Sequence, residues 1–405
     1  MNIYYDSEKE CWYTASRDTY FFGTSNMRLA TSKPAANHAA FPIVPHENKV
    51  GPLIGIMIAR NKHNKLIGNG ELFKQLQEKL QQHAGGIIVI FPPENLQTEK
   101  LTGYIFCSSR NSWIKAITPL PNIVYNRVPF RKTEKQEPFQ TAVSLLNEQE
   151  IPFFNASFIN KWELHQLFRD SPLLKEHLPK TILLKQKEDF ADFLLTYKNI
   201  YLKPVEGFKG KNIYRIRLKQ NDSIHVSTTE ETKYYSTLNQ VWEQYQQDWL
   251  QRQYLLQEEI DGALYNGNRY DFRLLVTFEE NHYVLTGVGV RQSTQQNVTT
   301  HIPSGGKLLS YQEVQQKEHD LFFQKIVDHC GILLTQKYGF TGEFSIDACV
   351  DKNGRYYLFE INAKPMLFDE KEIEEKRCQQ LIKLFYSLTN FPFQNKSQEM
   401  THPKT

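Results

Sequence analysis

The stretch from Thr341 to Pro365, TGEFSIDACVDKNGRYYLFEINAKP, constrains the fold more than any other part of the chain. Two apolar-rich runs flank Lys352-Asn353-Gly354-Arg355, and Asn-Gly between such runs signals a hairpin, because both residues tolerate the positive φ of a type I′ turn. With Lys352 paired to Arg355, counting sets Asp347 opposite Glu360, Ser345 opposite Asn362 and Glu343 opposite Lys364. Alternation then turns Glu360 and Asn362 to one face, and Phe359 and Ile361 to the other. Carboxylates facing each other across a ladder, about 4.5–5.5 Å apart at Cβ, destabilise the pair unless positive charge lies between them. Two carboxylates and an Asn carbonyl are hard oxygen donors that suit Mg²⁺ held jointly with phosphates. The plainer alternative is an exposed acidic hairpin. Against it stands Glu360 inside the apolar run YYLFEIN, where a charge needs a partner.

A chain of 405 residues, 40% hydrophobic and 13% aromatic, has enough apolar material for two or more cores. Forty-eight basic against 45 acidic residues leave a net charge of +3 with no dense basic block, which argues against a nucleic-acid groove or a membrane surface. The five cysteines are scattered and show no C-x-x-C spacing, so neither a disulfide framework nor a zinc site is expected, and a reducing, cytoplasmic setting fits. MNIYYDSEKE carries no signal pattern, and no run approaches the roughly 18 apolar residues of a spanning helix.

Residues 1–50 give no clear period and read as a β-rich or irregular lead-in. From Gly51 the pattern sharpens into strand, amphipathic helix and strand: PLIGIMIAR, ELFKQLQEKLQQHAGG and IIVIFP. Further apolar runs near Tyr104 and Ile123 complete a small α/β domain, expected over 51–138. A second domain of mixed α+β character is expected over 139–390, followed by a polar tail at 391–405 without order. No G-x-G-x-x-G follows the first strand and no P-loop occurs anywhere, so those two nucleotide folds are not expected.

Several residues outside the hairpin carry possible chemistry. Lys161 lies near the start of a helix over 158–168, where partial positive charge favours a nearby anion; a solvated lysine fits as well. In NIYLKPVEGFKGKNI, Lys203 stands at a strand end, and Gly207 and Gly210 make a loop whose backbone N–H groups can approach phosphates, with Lys209 and Lys211 adding charge. An ordinary basic loop is the alternative reading. Gln257-Glu258-Glu259-Ile260 ends a strand. Asp271 and Arg273 share one face of the next strand, which a structural salt bridge explains as well as a site does. Arg291 closes the strand paired with it.

In this order, these pieces resemble the ATP-grasp enzymes across residues 140–390. The runs GPLIGIMIA, PLPNIVYNR, FFNASFINKWELHQLF and HLPKT further resemble the YheC/YheD-like, spore-coat-associated members of that superfamily. The resemblance implies a small α/β domain followed by two α+β subdomains that clasp ATP. It places Lys161 and Lys203 on phosphates, Gly207 to Lys211 in a lid loop that includes Lys209 and Gly210, and Gln257, Glu258, Glu259 and Ile260 at a hinge that meets adenine through backbone groups. Asp271 becomes a nucleotide contact, and Asp347, Glu360 and Asn362 become ligands of Mg²⁺ (or Mn²⁺). Arg291, Arg273 and Asn297 take the catalytic roles, with Asn297 spaced three residues farther from Gly305-Gly306 than in the glutamate ligases.

What the resemblance implies chemically is an ATP-dependent carboxylate–amine or carboxylate–thiol ligase working through an acyl phosphate on a small-molecule or peptide carboxylate. A non-catalytic ATP-binding coat protein, with spore-coat proteins as partners, and an ATP-grasp small-molecule kinase are the alternatives.

Overall fold

A computed structural model describes residues 1–207, 212–293 and 306–393. The chain is a mixed α/β structure of packed sheets. Residues 1–51 form eight short strands in two four-stranded sheets, with orders Ala30–Thr31, Cys11–Thr14, Asn2–Asp6, Ala39–Pro42 and Met27–Arg28, Phe21–Phe22, Lys49–Gly51, Val44–His46. Sequence periodicity misses them because strands of two to five residues offer too few alternations to register.

The next sheet has six strands and is parallel at its centre. Leu53–Met57 lies between Ile87–Phe91 and Ile123–Asn126, both parallel to it, while Lys100–Cys107 and Ser112–Pro119 extend one edge as an antiparallel hairpin. The fully buried run Leu53, Ile54, Ile56 and Met57 matches a strand covered on both faces. One cover is the helix Gly70–His83, whose Leu72, Phe73, Leu76 and Leu80 are buried; the other includes Ile3, Trp12 and Phe22 of the first sheets.

A six-stranded antiparallel sheet follows: Thr181–Leu183, Tyr254–Glu258, Asn199–Pro204, Tyr214–Leu218, Ile224–Ser227 and Thr232–Tyr235. Helices Lys187–Tyr197 and Leu238–Gln251 bury Phe190, Val241 and Trp249 against it. Three of these strands, Tyr214–Leu218, Ile224–Ser227 and Thr232–Tyr235, lie within or beside the polar, charged run at 216–236. Tyr214, Ile216, Ile224 and Val226 supply their inward face.

The last sheet runs Lys307–Leu309, His282–Gln292, Asn268–Glu279, Glu343–Val350, Tyr356–Asn362, all antiparallel. Lys317–Tyr338 covers one face through Phe323, Ile326, Cys330 and Leu334. The short helix Tyr311–Val314 precedes it, separated from it by Gln315 and Gln316, which are extended. The closing helix Lys371–Thr389 sets Ile373 against this sheet and Leu381, Leu384 and Phe385 against the central sheet.

The hairpin departs from its expected turn. Its loop has three residues, with Val350 paired to Tyr356 and the Asp351 N–H donating to Arg355 O at 2.8 Å. Only Gly354 has positive φ, because the Asp351 carboxylate accepts the Asn353 and Arg355 N–H groups at 2.8 and 2.9 Å and opens the turn one residue early. A bulge at Phe359 then restores the count, so Asp347 faces Glu360 and Ser345 faces Asn362 as expected. Glu343 does not face Lys364; the ladder ends at Asn362. A two-residue loop with both φ positive occurs instead at Glu280-Asn281.

Candidate active site

Side chains from both antiparallel sheets meet in a cleft of about 440 Å³. Lys161, Lys203, Gly207, Gln257, Glu258, Ile260, Asp271, Arg273, Arg291, Asp347, Glu360 and Asn362 all line it. Lys209, Gly210 and Asn297 lie outside the described residues. Glu259 lines no part of the cleft. Its carboxylate is gripped by Arg215 and Arg217, the latter at 2.9 Å, on the strand two positions away in the sheet.

The register of the last sheet sets Arg273, Asp347 and Glu360 side by side on three adjacent strands. Two residues along, Arg291 stands beside Asp271. Period-two alternation brings both rows to one face. Gly289, across from Arg273, leaves room for Glu370, since a Cβ there would sit 2.9 Å from Glu370 Oε1. Arg273 also donates to Met366 O at 3.3 Å and stacks 4.5 Å from the Phe368 ring, and burial, reinforced by Arg291, pulls its pKa down to about 10.

Glu360 and Asp347 titrate in opposite senses. Burial raises Asp347 more than Arg273 and Arg291 lower it, and Glu360 and Asp271 push the same way as burial. Burial also works against ionised Glu360, but Lys161 outweighs it: the Lys161 ammonium donates to Glu360 Oε1 at 2.5 Å. Lys161 is the first residue of the helix Lys161–Arg169, fixed there by Asn160, whose side chain accepts the Trp162 and Glu163 N–H groups.

Lys203 reaches the cleft from the opposite sheet. It donates to Gln257 Oε1 at 2.6 Å and lies 5.2 Å over the Phe359 ring. The bulge has therefore turned Phe359 into the cleft, against the alternation expected from sequence. Burial depresses Lys203 to about 8, with Glu360 pulling the other way. At the strand end, the Glu258 and Glu259 N–H groups already donate to Lys180 O and Asn199 O, both at 3.0 Å.

Sequence reasoning missed Arg269, Arg131 and Lys364, all of which line the cleft. Arg269 donates to the Tyr201 hydroxyl at 3.2 Å; burial works against its charge, but Asp271 and Tyr201 hold its pKa above the usual value. Lys364 is ion-paired with Glu134 and donates to Val128 O at 3.2 Å. Glu343, which borders this end, is fully buried and bound by Arg377, Arg127 and Tyr125. No segment-level signal marks these groups, since their partners lie on other elements: Tyr201 is 68 residues from Arg269, Ile159 28 from Arg131 and Glu134 230 from Lys364.

The donor set can be tested against a divalent cation. Among the described residues no three His, Cys, Asp or Glu side chains converge. Asp347, Glu360 and Asn362 thus offer a partial oxygen shell, with lysines and arginines around it. Such a shell fits Mg²⁺ that takes its remaining ligands from phosphates and water, and does not fit an all-protein cage.

Two antiparallel sheets that close on a cleft with facing carboxylates, a strand-end lysine and a helix-start lysine define an ATP-grasp fold. D-alanyl-alanine synthetase A from Vibrio cholerae superposes with a TM-score of 0.51 at 12% identity, over 84% of this chain and 99% of that one. The ATP-grasp ligase PsnB, in complex with a minimal precursor, gives 0.50 at 14% identity, over 84% and 99%. Within that fold, the chain belongs to the YheC/D-like ATP-grasp family, whose profile matches residues 150–389. Endospore coat-associated protein YheD of Bacillus subtilis (strain 168) is 28% identical over 348 residues, which cover 82% of this chain and 76% of YheD. Endospore coat-associated protein YheC of the same strain is 22% identical over 322 residues, covering 76% of this chain and 88% of YheC. Among the described residues no helix is long and apolar enough to cross a membrane.

Proposed function

We propose that this protein is an ATP- and Mg²⁺-dependent ligase that joins a carboxylate to an amine or thiol through an acyl phosphate, and that it works in sporulation or on the endospore coat. The observation that carries this reading is the row Arg273–Asp347–Glu360, flanked by Lys161 and Lys203. Half-buried facing carboxylates with cations on both sides serve a scaffold poorly, whereas they suit a site that must hold a metal–triphosphate.

In this reading Lys203 and Lys161 bind phosphate oxygens; Lys209 and Gly210, assigned to the lid, lie outside the described residues. Adenine meets the hinge at Ile260, because the Glu258 and Glu259 N–H groups are already taken. Asp271 contacts the nucleotide. Asp347, Glu360 and Asn362 would hold Mg²⁺, which when bound would offset phosphate charge. Arg291 and Arg273 face the charge that develops as the substrate carboxylate attacks the γ-phosphorus and ADP leaves. An amine or thiol then attacks the acyl carbon and expels phosphate. Asn297, outside the described residues, is assigned to the same end.

A second reading, a coat protein that binds ATP without turnover, draws on the Lys161–Glu360 ion pair, which already neutralises one metal ligand. A screen for ADP release against pooled amino acids, peptides and cell extract, with mass spectrometry of products, separates the two. A new covalent product supports the ligase; ATP binding with no ADP released above background in any pool supports the scaffold.

A further inference from the structure

The strand Tyr356–Asn362 and its continuation to Lys364 line the cleft from Phe359 onward. One end adjoins the hinge, where the Ala263 N–H donates to Val350 O at 2.8 Å and the Lys352 N–H to Asp261 O at 3.3 Å. Glu360, with Lys161, lies in the middle. The far end meets Val128 and Glu134, which come from the chain before the family match. Here the wall is Pro129, Phe130, Arg131, Phe158 and Met366.

The cations at this end are not equivalent. Lys364 has Glu134, Arg127 and Arg377 share Glu343, and Lys161 has Glu360. Arg131 has no carboxylate within ion-pair distance among the described residues. Its guanidinium donates to Ile159 O at 2.5 Å and lies 5.0 Å over the Phe158 ring, which fixes its plane and leaves other N–H donors toward the cleft. A planar, pre-positioned fork with unused donors matches a carboxylate in two-point contact. Around it the surface is apolar: Phe130 and Met366 are each 41% exposed, large hydrophobic side chains at a cleft wall that a ligand would cover.

We infer that Arg131 anchors a carboxylate of the substrate, and that this substrate carries an apolar or aromatic group that packs on Phe130, Phe158 and Met366. The inference rests on the ligase reading of the cleft and names the class of its organic substrate. It also separates the two halves of the site: Lys161 and Lys203 serve phosphate, and Arg131 serves the organic acid.

The test is binding to the full-length protein, with no turnover needed. N-acetyl-L-phenylalanine, its neutral amide and acetate are titrated and followed by ligand-observed NMR. Wild type should bind the acid at least tenfold better than either the amide or acetate. Arg131→Gln should abolish the preference over the amide, and Arg131→Lys, which keeps charge without the fork, should restore part of it. Affinity for Mg·AMPPNP is measured on each variant, together with its melting temperature to confirm folding. Equal binding of acid and amide by wild type, a preference that survives in folded Arg131→Gln, or a parallel tenfold loss of AMPPNP affinity would each overturn the assignment, the last by showing that Arg131 holds phosphate. Failure here leaves the ATP reading intact, because that reading is judged by ADP release and by wild-type AMPPNP binding.

Discussion

The Lys161 ammonium rests 2.5 Å from Glu360 Oε1, so that a residue placed to hold phosphate neutralises one placed to hold metal. Asp347, directly across the ladder from Glu360, has no lysine ion-paired to it among the described residues and is held above the usual carboxylate range by burial. The two acids should therefore answer differently to neutral replacement.

Asp347→Asn removes a charge that burial disfavours, and its melting temperature should equal or exceed wild type. Glu360→Gln strips Lys161 of its partner and should cost about 1–3 kcal/mol. Both should lose ATP turnover. Denaturation curves and ADP release on the same preparations check this; turnover retained by both would remove the metal assignment.

Lys203 gives a pH signature. Its free pKa is lowered to about 8, by burial first, against an ordinary 10.5. A bound phosphate favours the charged form and raises that value, so between pH 8 and 10.5 binding takes up a proton, and affinity weakens as pH rises through the window. Calorimetry at pH 8.5 to 9 in buffers of different ionisation enthalpy should show this uptake, and Lys203→Arg should abolish it. Lys364 is also lowered to about 8 but is paired with Glu134, so Lys364→Met should leave the uptake in place.

Arg291 separates chemistry from binding. If it meets charge that develops during phosphoryl transfer, Arg291→Ala should lower kcat by about 10²–10³ while ATP affinity changes far less. Arg291→Lys should recover only part, having lost the planar fork. Because Arg291 stands beside Asp271, a structural role would show as a lowered Tm with near-normal turnover per folded molecule.

Glu343 predicts the largest stability effect. It is fully buried and ionised: burial opposes the charge, and Arg377 and Arg127 overcome it. Glu343→Gln leaves Arg127 without its carboxylate and Arg377 with Glu374 alone, and should cost about 3–5 kcal/mol in urea unfolding, far more than Asp347→Asn.

The facing of Asp347 and Glu360 was legible because one-residue errors cancelled. The turn opened a residue early at Asp351, and the bulge at Phe359 returned the residue. The strands and helices of the central sheet were legible from long apolar runs. Tyr214–Leu218 and Ile224–Ser227 were not, since short edge-side strands with one polar face resemble loops. Glu259 was assigned to the hinge with its neighbours, yet nothing local announces that Arg215 and Arg217 turn its side chain away. Arg131 was invisible for a related reason: VPFRKTE has no period, and its surroundings in Phe158 and Ile159 arise from tertiary structure alone.

The ion network at Glu343 also bears on where this protein can be cut. The stretch that matches the family starts at residue 150, but Tyr125 and Arg127, two of the three side chains that bind Glu343, lie before it. A fragment trimmed to the homologous stretch would keep Arg377 and Glu374, surrender the other two, and open a dry pocket around a carboxylate to water. The smallest piece that keeps this network whole is therefore longer than the 150–389 family match, because it must reach back to Tyr125 and Arg127.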